Sequence, residues 1–180
     1  LEDYGVEVME LEPLRDFPDS TFVQDTALIC SRSRVAILSR FGEPSRRGEE
    51  NDVGRVLEVL GFKIHRITRP GTLEGGDILV TDLELVFVGI SKRTNLEGAR
   101  QLSYHLKHQR AVILPVRRTL HLLSGVGYVG EGRFVIDPEL INPRFFSGFD
   151  VLELRGDSPN LLYLGDDVVL VPKSRPRVSE

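Results

Sequence analysis

The sequence lacks any run of about eighteen apolar residues, which excludes a transmembrane helix. It also lacks a basic stretch leading into an apolar core at its start, so no secretory signal is visible. Cysteine is nearly absent. The single Cys30 excludes an intrachain disulfide, offers no zinc-type spacing and fits a reducing, cytoplasmic compartment. There is no basic excess either: 23 Lys and Arg face 27 Asp and Glu, a net charge of −4. That balance argues against a nucleic-acid partner, and a small cation is the easier ligand. No low-complexity tract or long linker divides the chain, so residues 1–180 read as a single domain. Methionine is scarce too: the chain opens at Leu1, and its one methionine, Met9, falls in an apparent strand. The expectation is a chain that forms part of a longer protein.

What is present is ordinary for a soluble globular protein, with 41% apolar and 28% charged residues. The informative feature is internal repetition. Asp25-Thr-Ala-Leu-Ile-Cys and Val35-Ala-Ile-Leu-Ser read as two strands joined by a turn. A basic loop, Ser45-Arg-Arg-Gly, follows. Apolar residues at Val53, Val56, Leu57 and Leu60 then predict a helix over Glu49 to Leu60, ended by Gly61. Phe62-Lys-Ile-His-Arg-Ile alternates as a strand. The order recurs from Asp77, with a helix from about Leu96 to Lys107 behind the N-cap Asn95, and a closing strand from Ala111. A third copy starts near Ser124 with a short helix expected around Pro138 to Phe145, closing near Val151. A fourth starts at Asn160 and runs through Val168-Val-Leu-Val-Pro to the basic loop Lys173-Ser-Arg-Pro-Arg, where only half a unit is present. Strand–strand–helix–strand units set around a ring make an α/β propeller. The loops before each first strand and after each second strand then converge on one axis. An ordinary α/β sandwich with polar turns is the alternative.

Four groups of residues carry candidate chemistry. In Phe17-Pro-Asp-Ser-Thr-Phe-Val-Gln-Asp, the carboxylates of Asp19 and Asp25 and the amide of Gln24 offer acceptors for the rim of a planar guanidinium. Thr72-Leu-Glu-Gly-Gly-Asp places Glu74 at a loop end, with two glycines that permit a close approach or a positive φ. His121, in Leu120-His-Leu-Leu-Ser-Gly, enters from the next unit. A carboxylate such as Glu74 beside it orients an imidazole and raises its basicity for acid–base work. Arg46 and Arg93 occupy equivalent basic loops and suit the carboxylate of an α-amino acid. Each element taken alone also has a plain structural reading: turn, bulge, core histidine or solvated loop. His65, His105 and His108 read as structural or solvated, and Cys30 as core packing.

Together, FPDSTFVQD, TLEGGD, SKRTNLEGARQL and LHLLSGVGY, in this order and spacing, resemble the dimethylarginine dimethylaminohydrolase family, from about Val6 to about Pro176. The resemblance implies the fivefold α/β propeller (pentein) of ββαβ units, present as an incomplete ring lacking N- and C-terminal parts. It also implies hydrolysis of Nω-methylated arginine to citrulline and methylamine or dimethylamine by covalent cysteine catalysis. By the same resemblance, Asp19, Gln24 and Asp25 fall on the guanidinium side, Arg46 and Arg93 on the amino-acid end, His121 on the general acid and Glu74 on the acid accompanying it. Gln24 stands where the family commonly has glutamate. The family's nucleophilic cysteine lies near its C-terminus, beyond Glu180, and Cys30 matches no catalytic position. No metal or organic cofactor is called for; the expected partner is a small-molecule substrate, with no nucleic acid and no membrane. No heptad or apolar stripe marks an oligomer interface. An arginine deiminase and a catalytically inactive binding protein remain the alternatives.

Overall fold

The computed structural model describes residues 1–106, 108–156, 158–166 and 168–171. Four small sheets follow one another along the chain. The first holds β1 (Ala27–Cys30), β2 (Val35–Leu38) and β3 (Lys63–Arg66), with helix α1 (Glu50–Val59) between β2 and β3. The second holds β4 (Ile78–Val80), β5 (Leu85–Ile90) and β6 (Arg110–Pro115), with α2 (Leu96–His105) between β5 and β6. The third holds β7 (Val126–Tyr128), β8 (Arg133–Ile136) and β9 (Asp150–Glu153), and the fourth pairs β10 (Leu162–Gly165) with β11 (Val168–Leu170).

In each three-stranded sheet the first pair is antiparallel and the second parallel. The second strand is therefore central, and its sequence says why: Val35-Ala-Ile-Leu is buried at every position, as strands covered on both faces are. Edge strand β3 instead has exposed ends, Lys63 and Arg66, around the half-buried Ile64 and His65. Neighbouring sheets share their cores. Ala99 and Leu102 of α2 pack with Val35 and Ile37 of the first sheet and Val86 and Val88 of the second. Phe87 of the second sheet meets Phe134 of the third and Phe146 in a ring cluster, with centroids 5.3 and 4.9 Å away. Burying each such ring contributes about 1.5–3 kcal/mol.

Two helix boundaries lie where the sequence predicts them, the start of α2 and the end of α1. The Asn95 side chain accepts the N–H of Gly98 at 2.8 Å, and Gly61 takes φ +82° behind α1. Three expectations fail. The helix expected over Pro138 to Phe145 is replaced by a turn on Asp137 and a 3-10 turn at Pro143–Phe146. Pro143 has no N–H to continue a helix, and Asn142 caps a new turn by accepting from Arg144 N at 3.1 Å. Phe146 of that turn is fully buried in the core cluster shared by the second and third sheets. Met9 lies outside any strand and is exposed, as are Val6 and Val8. Helix α2 stops at His105; Lys107, and the loop from Lys173, lie outside the described residues. Among the described residues, no helix is long and apolar enough to cross a membrane.

Candidate functional site

Each of the first three units begins with a 3-10 turn leading into its first strand: Val23–Thr26, Gly75–Asp77 and Leu122–Ser124. These turns are stitched in series. Asp25 Oδ1 accepts the N–H of Gly76 at 2.8 Å, and Asp77 Oδ1 accepts that of Leu122 at 3.0 Å. Three loops distant in sequence are thereby drawn to one point. The paired glycines serve close approach, and neither takes a positive φ. A Cβ on Gly75 would collide with the carbonyl of Gln24, and one on Gly76 would lie 2.8 Å from His121 Cγ and 2.9 Å from Asp25 Oδ1.

The stitching brings one polar atom each of Asp25, Glu74 and His121 within 4.8 Å of one another. Glu74 is fully buried. Its Oε1 accepts the backbone N–H groups of Gly42 and Glu43 at 3.0 and 3.3 Å, while Oε2 has no hydrogen-bond donor. The His121 imidazole sits between two carboxylates: Nε2 lies 3.6 Å from Glu74 Oε2, and Nδ1 lies 3.4 Å from Asp77 Oδ2. The Nδ1 contact falls short of hydrogen-bond geometry. Burial, the largest single influence, favours the neutral ring. Asp77, then Asp25 and Glu74, outweigh it and raise the His121 pKa above its ordinary value.

Arg46 is buried in the same cluster. Its guanidinium donates to Asp25 Oδ2 at 2.8 Å, to both Glu49 oxygens at 2.7–3.2 Å and to the Asp19 carbonyl at 3.3 Å; Glu74 Oε2 lies 3.9 Å away. Burial opposes the charge, but Glu49 and Asp25 more than restore it. The face of Phe41 lies 4.5 Å below, a cation–π contact. Arg46, expected from sequence at the amino-acid end of a ligand, has most of its donors committed to the protein and binds the loops together. Arg93 is half-buried and loosely held, 3.5 Å from Glu74 Oε1 and 3.9 Å from Glu43 Oε2, and retains donors for another partner. The Asp19 and Gln24 side chains are exposed at the edge of the cluster.

Four carboxylates (Asp25, Glu49, Glu74 and Asp77) therefore surround Arg46 and His121, with Arg93 at the rim. A flat monovalent cation suits the remaining negative field and the free Glu74 oxygen. Asp25, Glu74 and His121 are close enough to chelate a metal, but a divalent ion would meet the fixed charge of Arg46 head on.

The family model for arginine deiminase matches residues 7–145. An uncharacterized protein of Aeropyrum pernix is 47% identical over 96% of this chain and 65% of its own length. The N(G),N(G)-dimethylarginine dimethylaminohydrolase of Pseudomonas aeruginosa is 33% identical over the full chain and 72% of its own length. The chain belongs to the dimethylarginine dimethylaminohydrolase family. A solved structure of that Pseudomonas enzyme, a mutant complexed with citrulline, superposes with a TM-score of 0.85 over 93% of this chain and 66% of that one. The four sheets are thus part of the α/β propeller of the dimethylarginine dimethylaminohydrolases, and the chain spans about two thirds of the length of the curated relatives it matches.

Sequence reasoning missed two acids in this member of the family. Glu49 reads as an ordinary acid at a helix start, although its position three residues after Arg46 is the spacing of an ion pair. Asp77 reads only as the start of the second unit, and its equivalence to Asp25 in the repeat is the available signal. Cys30 ends β1 at the opposite end from Asp25 and packs against the core, its Sγ 3.7 Å from Gln109 Oε1. Burial pushes its thiol pKa up, which suits packing and not nucleophilic attack. His65 and His105 stack on each other at 4.1 Å, and His108 is exposed.

Proposed function

We propose that the protein hydrolyses Nω-methylated arginine to citrulline and methylamine or dimethylamine, in one domain (1–180 here) completed by a cysteine nucleophile outside these residues. The observation that carries the reading is the meeting of Asp25, Glu74 and His121 within 4.8 Å, each from a different loop. The thiolate attacks the guanidinium carbon and forms a C–S bond. His121 gives its proton to the departing amine as the C–N bond breaks. Water then attacks the resulting thiouronium and surrenders a proton to the imidazole; the C–S bond breaks and citrulline leaves. Asp25 and Glu74 keep the guanidinium protonated, and hence electrophilic at carbon. Asp19 and Gln24 line the entrance to the guanidinium side, and Arg93 takes the substrate carboxylate. Arg46 acts through Asp25 by fixing its orientation. Neither a metal nor an organic cofactor enters any step, and the lone, half-buried cysteine fits a cytoplasmic protein.

The test is to supply the intact protein with arginine, monomethylarginine and asymmetric dimethylarginine, and to measure citrulline together with the released amine. Methylamine and dimethylamine should dominate. Ammonia released mainly from plain arginine would assign the arginine deiminase reaction instead. Binding of all three without turnover would make the protein a binder.

A further inference from the structure

We propose that Arg40, Arg47 and Arg69 form an anion-binding site on the surface of the first unit, one that takes a polyvalent oxyanion of the phosphate class. The three are scattered along the sequence, and backbone hydrogen bonds gather them. Arg40 follows β2; its Nη1 donates to the Gly71 carbonyl at 3.0 Å, and its own carbonyl accepts the N–H of Leu73 at 2.9 Å. Gly71 closes the turn that carries Arg69, with its N–H on the Thr68 carbonyl at 2.8 Å. From the other side, Arg47 Nε donates to the carbonyl of Phe41, the residue after Arg40, at 3.0 Å. Helix α2 and its cap hold the turn of Arg69 in place. Gln101 accepts the N–H of Thr68 at 2.9 Å and donates to its carbonyl at 3.0 Å, and Asn95 donates to the Pro70 carbonyl at 2.9 Å. The three charges act on one another: burial first, then Arg47 and Arg69, hold the Arg40 pKa below its ordinary value.

No acid answers this charge. Among the described residues, none of the three arginines makes an ion pair, although the chain as a whole carries a net charge of −4. The acids of the same loop are engaged elsewhere. Glu43 accepts from Ser45 and lies 3.9 Å from Arg93, and Glu49 holds Arg46. Glu50 accepts the Gly48 N–H at 2.8 Å and lies 3.8 Å from Arg66. Arg40 and Arg47 each spend guanidinium N–H on one backbone carbonyl, and Arg69 makes no side-chain hydrogen bond among the described residues. Most of their donors are therefore unclaimed by the protein. Like charges held together repel, and an anion between them reverses the sign of that energy. Guanidinium forks match phosphate oxygens in pairs, and a group with several oxygens and more than one negative charge answers three cations better than a carboxylate does. The site is separate from the pocket of Asp25, Glu74 and His121. Phe41 stands between, with its carbonyl on Arg47 and its ring 4.5 Å from the Arg46 guanidinium.

The test labels the intact protein with 15N at arginine and follows the side-chain Nε–H signals by NMR at constant ionic strength. Inorganic phosphate, pyrophosphate and glycerol phosphate are added in turn, the last to separate a free ion from a phosphate carried on a larger molecule. The signals of Arg40, Arg47 and Arg69, assigned by single substitutions to Gln, should move together to saturation with one dissociation constant, tightest for pyrophosphate. Arg55 on α1 and Arg100 on α2, exposed arginines that pair with Asp52 and Glu97, should not follow. Arg69→Gln, at an exposed position with no side-chain bond to lose, should weaken pyrophosphate binding about tenfold, the worth of one charge-assisted hydrogen-bonding group. Three results overturn the assignment: no saturable shift at these residues with any of the three anions, an equal shift at every exposed arginine, or wild-type affinity for pyrophosphate in Arg69→Gln. The signals report binding alone, so none of these outcomes depends on the reaction proposed above.

Discussion

Asp25 of the first unit accepts the backbone N–H of Gly76 in the second through Oδ1, at 2.8 Å across 51 residues. The second unit repeats the device when Asp77 accepts from Leu122 in the third, at 3.0 Å across 45. The remaining oxygens differ, and the chemistry lies in that difference. Oδ2 of Asp25 goes to Arg46, and Oδ2 of Asp77 to Ser91 and the His121 ring. The device that ties Asp25 to Arg46 in one unit is thus placed beside the His121 imidazole in the next.

The Asp25–Gly76 contact predicts that Gly76→Ala is more damaging than a methyl group suggests. The new Cβ would lie 2.8 Å from His121 Cγ and 2.9 Å from Asp25 Oδ1, and Asp25 is held by its bonds to Gly76 and Arg46. Overpacking of this kind costs about 1–3 kcal/mol, and the displaced groups are the two on which the proposed reaction depends. Urea denaturation should register the stability loss, and steady-state kinetics a fall in methylarginine turnover. Turnover at the wild-type level would show that the close approach of these loops has no part in catalysis.

Much of this was legible because local signals agreed with the global pattern. Asn95 and Gly61 mark helix ends, the apolar runs at Val35 and Leu85 mark central strands, and the order repeats. The helix that the repeat order leads one to expect in the third unit does not form, because Pro143 cannot continue it. At the site, residue types announced which loops matter but not how charges pair. Arg46 illustrates the limit. A basic loop residue offers the same letter whether it grips a ligand or lies buried against Asp25 and Glu49, and only the packing of Phe41 and the neighbouring turn decides.

Arg46→Met tests that packing. Removing the guanidinium leaves Asp25 and Glu49 buried without their cation, a change that typically costs about 3–5 kcal/mol. Adding Glu49→Leu removes one of the stranded charges and should recover part of the loss. The two substitutions are in contact, so their effects on the denaturation free energy should be strongly non-additive. A purely additive result, or a loss confined to substrate KM, would return Arg46 to the ligand-binding role expected from sequence.

The raised pKa of His121 makes a signed prediction about stability. A group whose folded pKa exceeds its unfolded value binds protons more readily in the native state. Its contribution is fully present below the unfolded pKa, about 6.5, and is lost as pH rises through the folded value. The difference in unfolding free energy between the wild type and His121→Asn should therefore be largest in mild acid and shrink as the solution becomes alkaline. Parallel stability curves would mean that Asp77, Asp25 and Glu74 do not stabilise the imidazolium.

Of the two site arginines, Arg93 is the less committed: its contacts with Glu74 and Glu43 are 3.5 and 3.9 Å long, and its side chain is partly exposed. Pairing with a substrate carboxylate would satisfy it through two parallel hydrogen bonds. Such binding is shared by ground state and transition state, so Arg93→Ala should raise KM for methylarginine with a smaller effect on kcat. Because Arg93 also touches Glu74, a structural effect must be told apart from lost binding. N-methylguanidine, which carries the reacting group without the amino-acid end, provides the distinction. If Arg93 grips the carboxylate, kcat/KM for this truncated substrate should be the same in wild type and variant. An equal fall for both substrates would mean that Arg93 works by supporting Glu74, and that the amino-acid end is bound elsewhere.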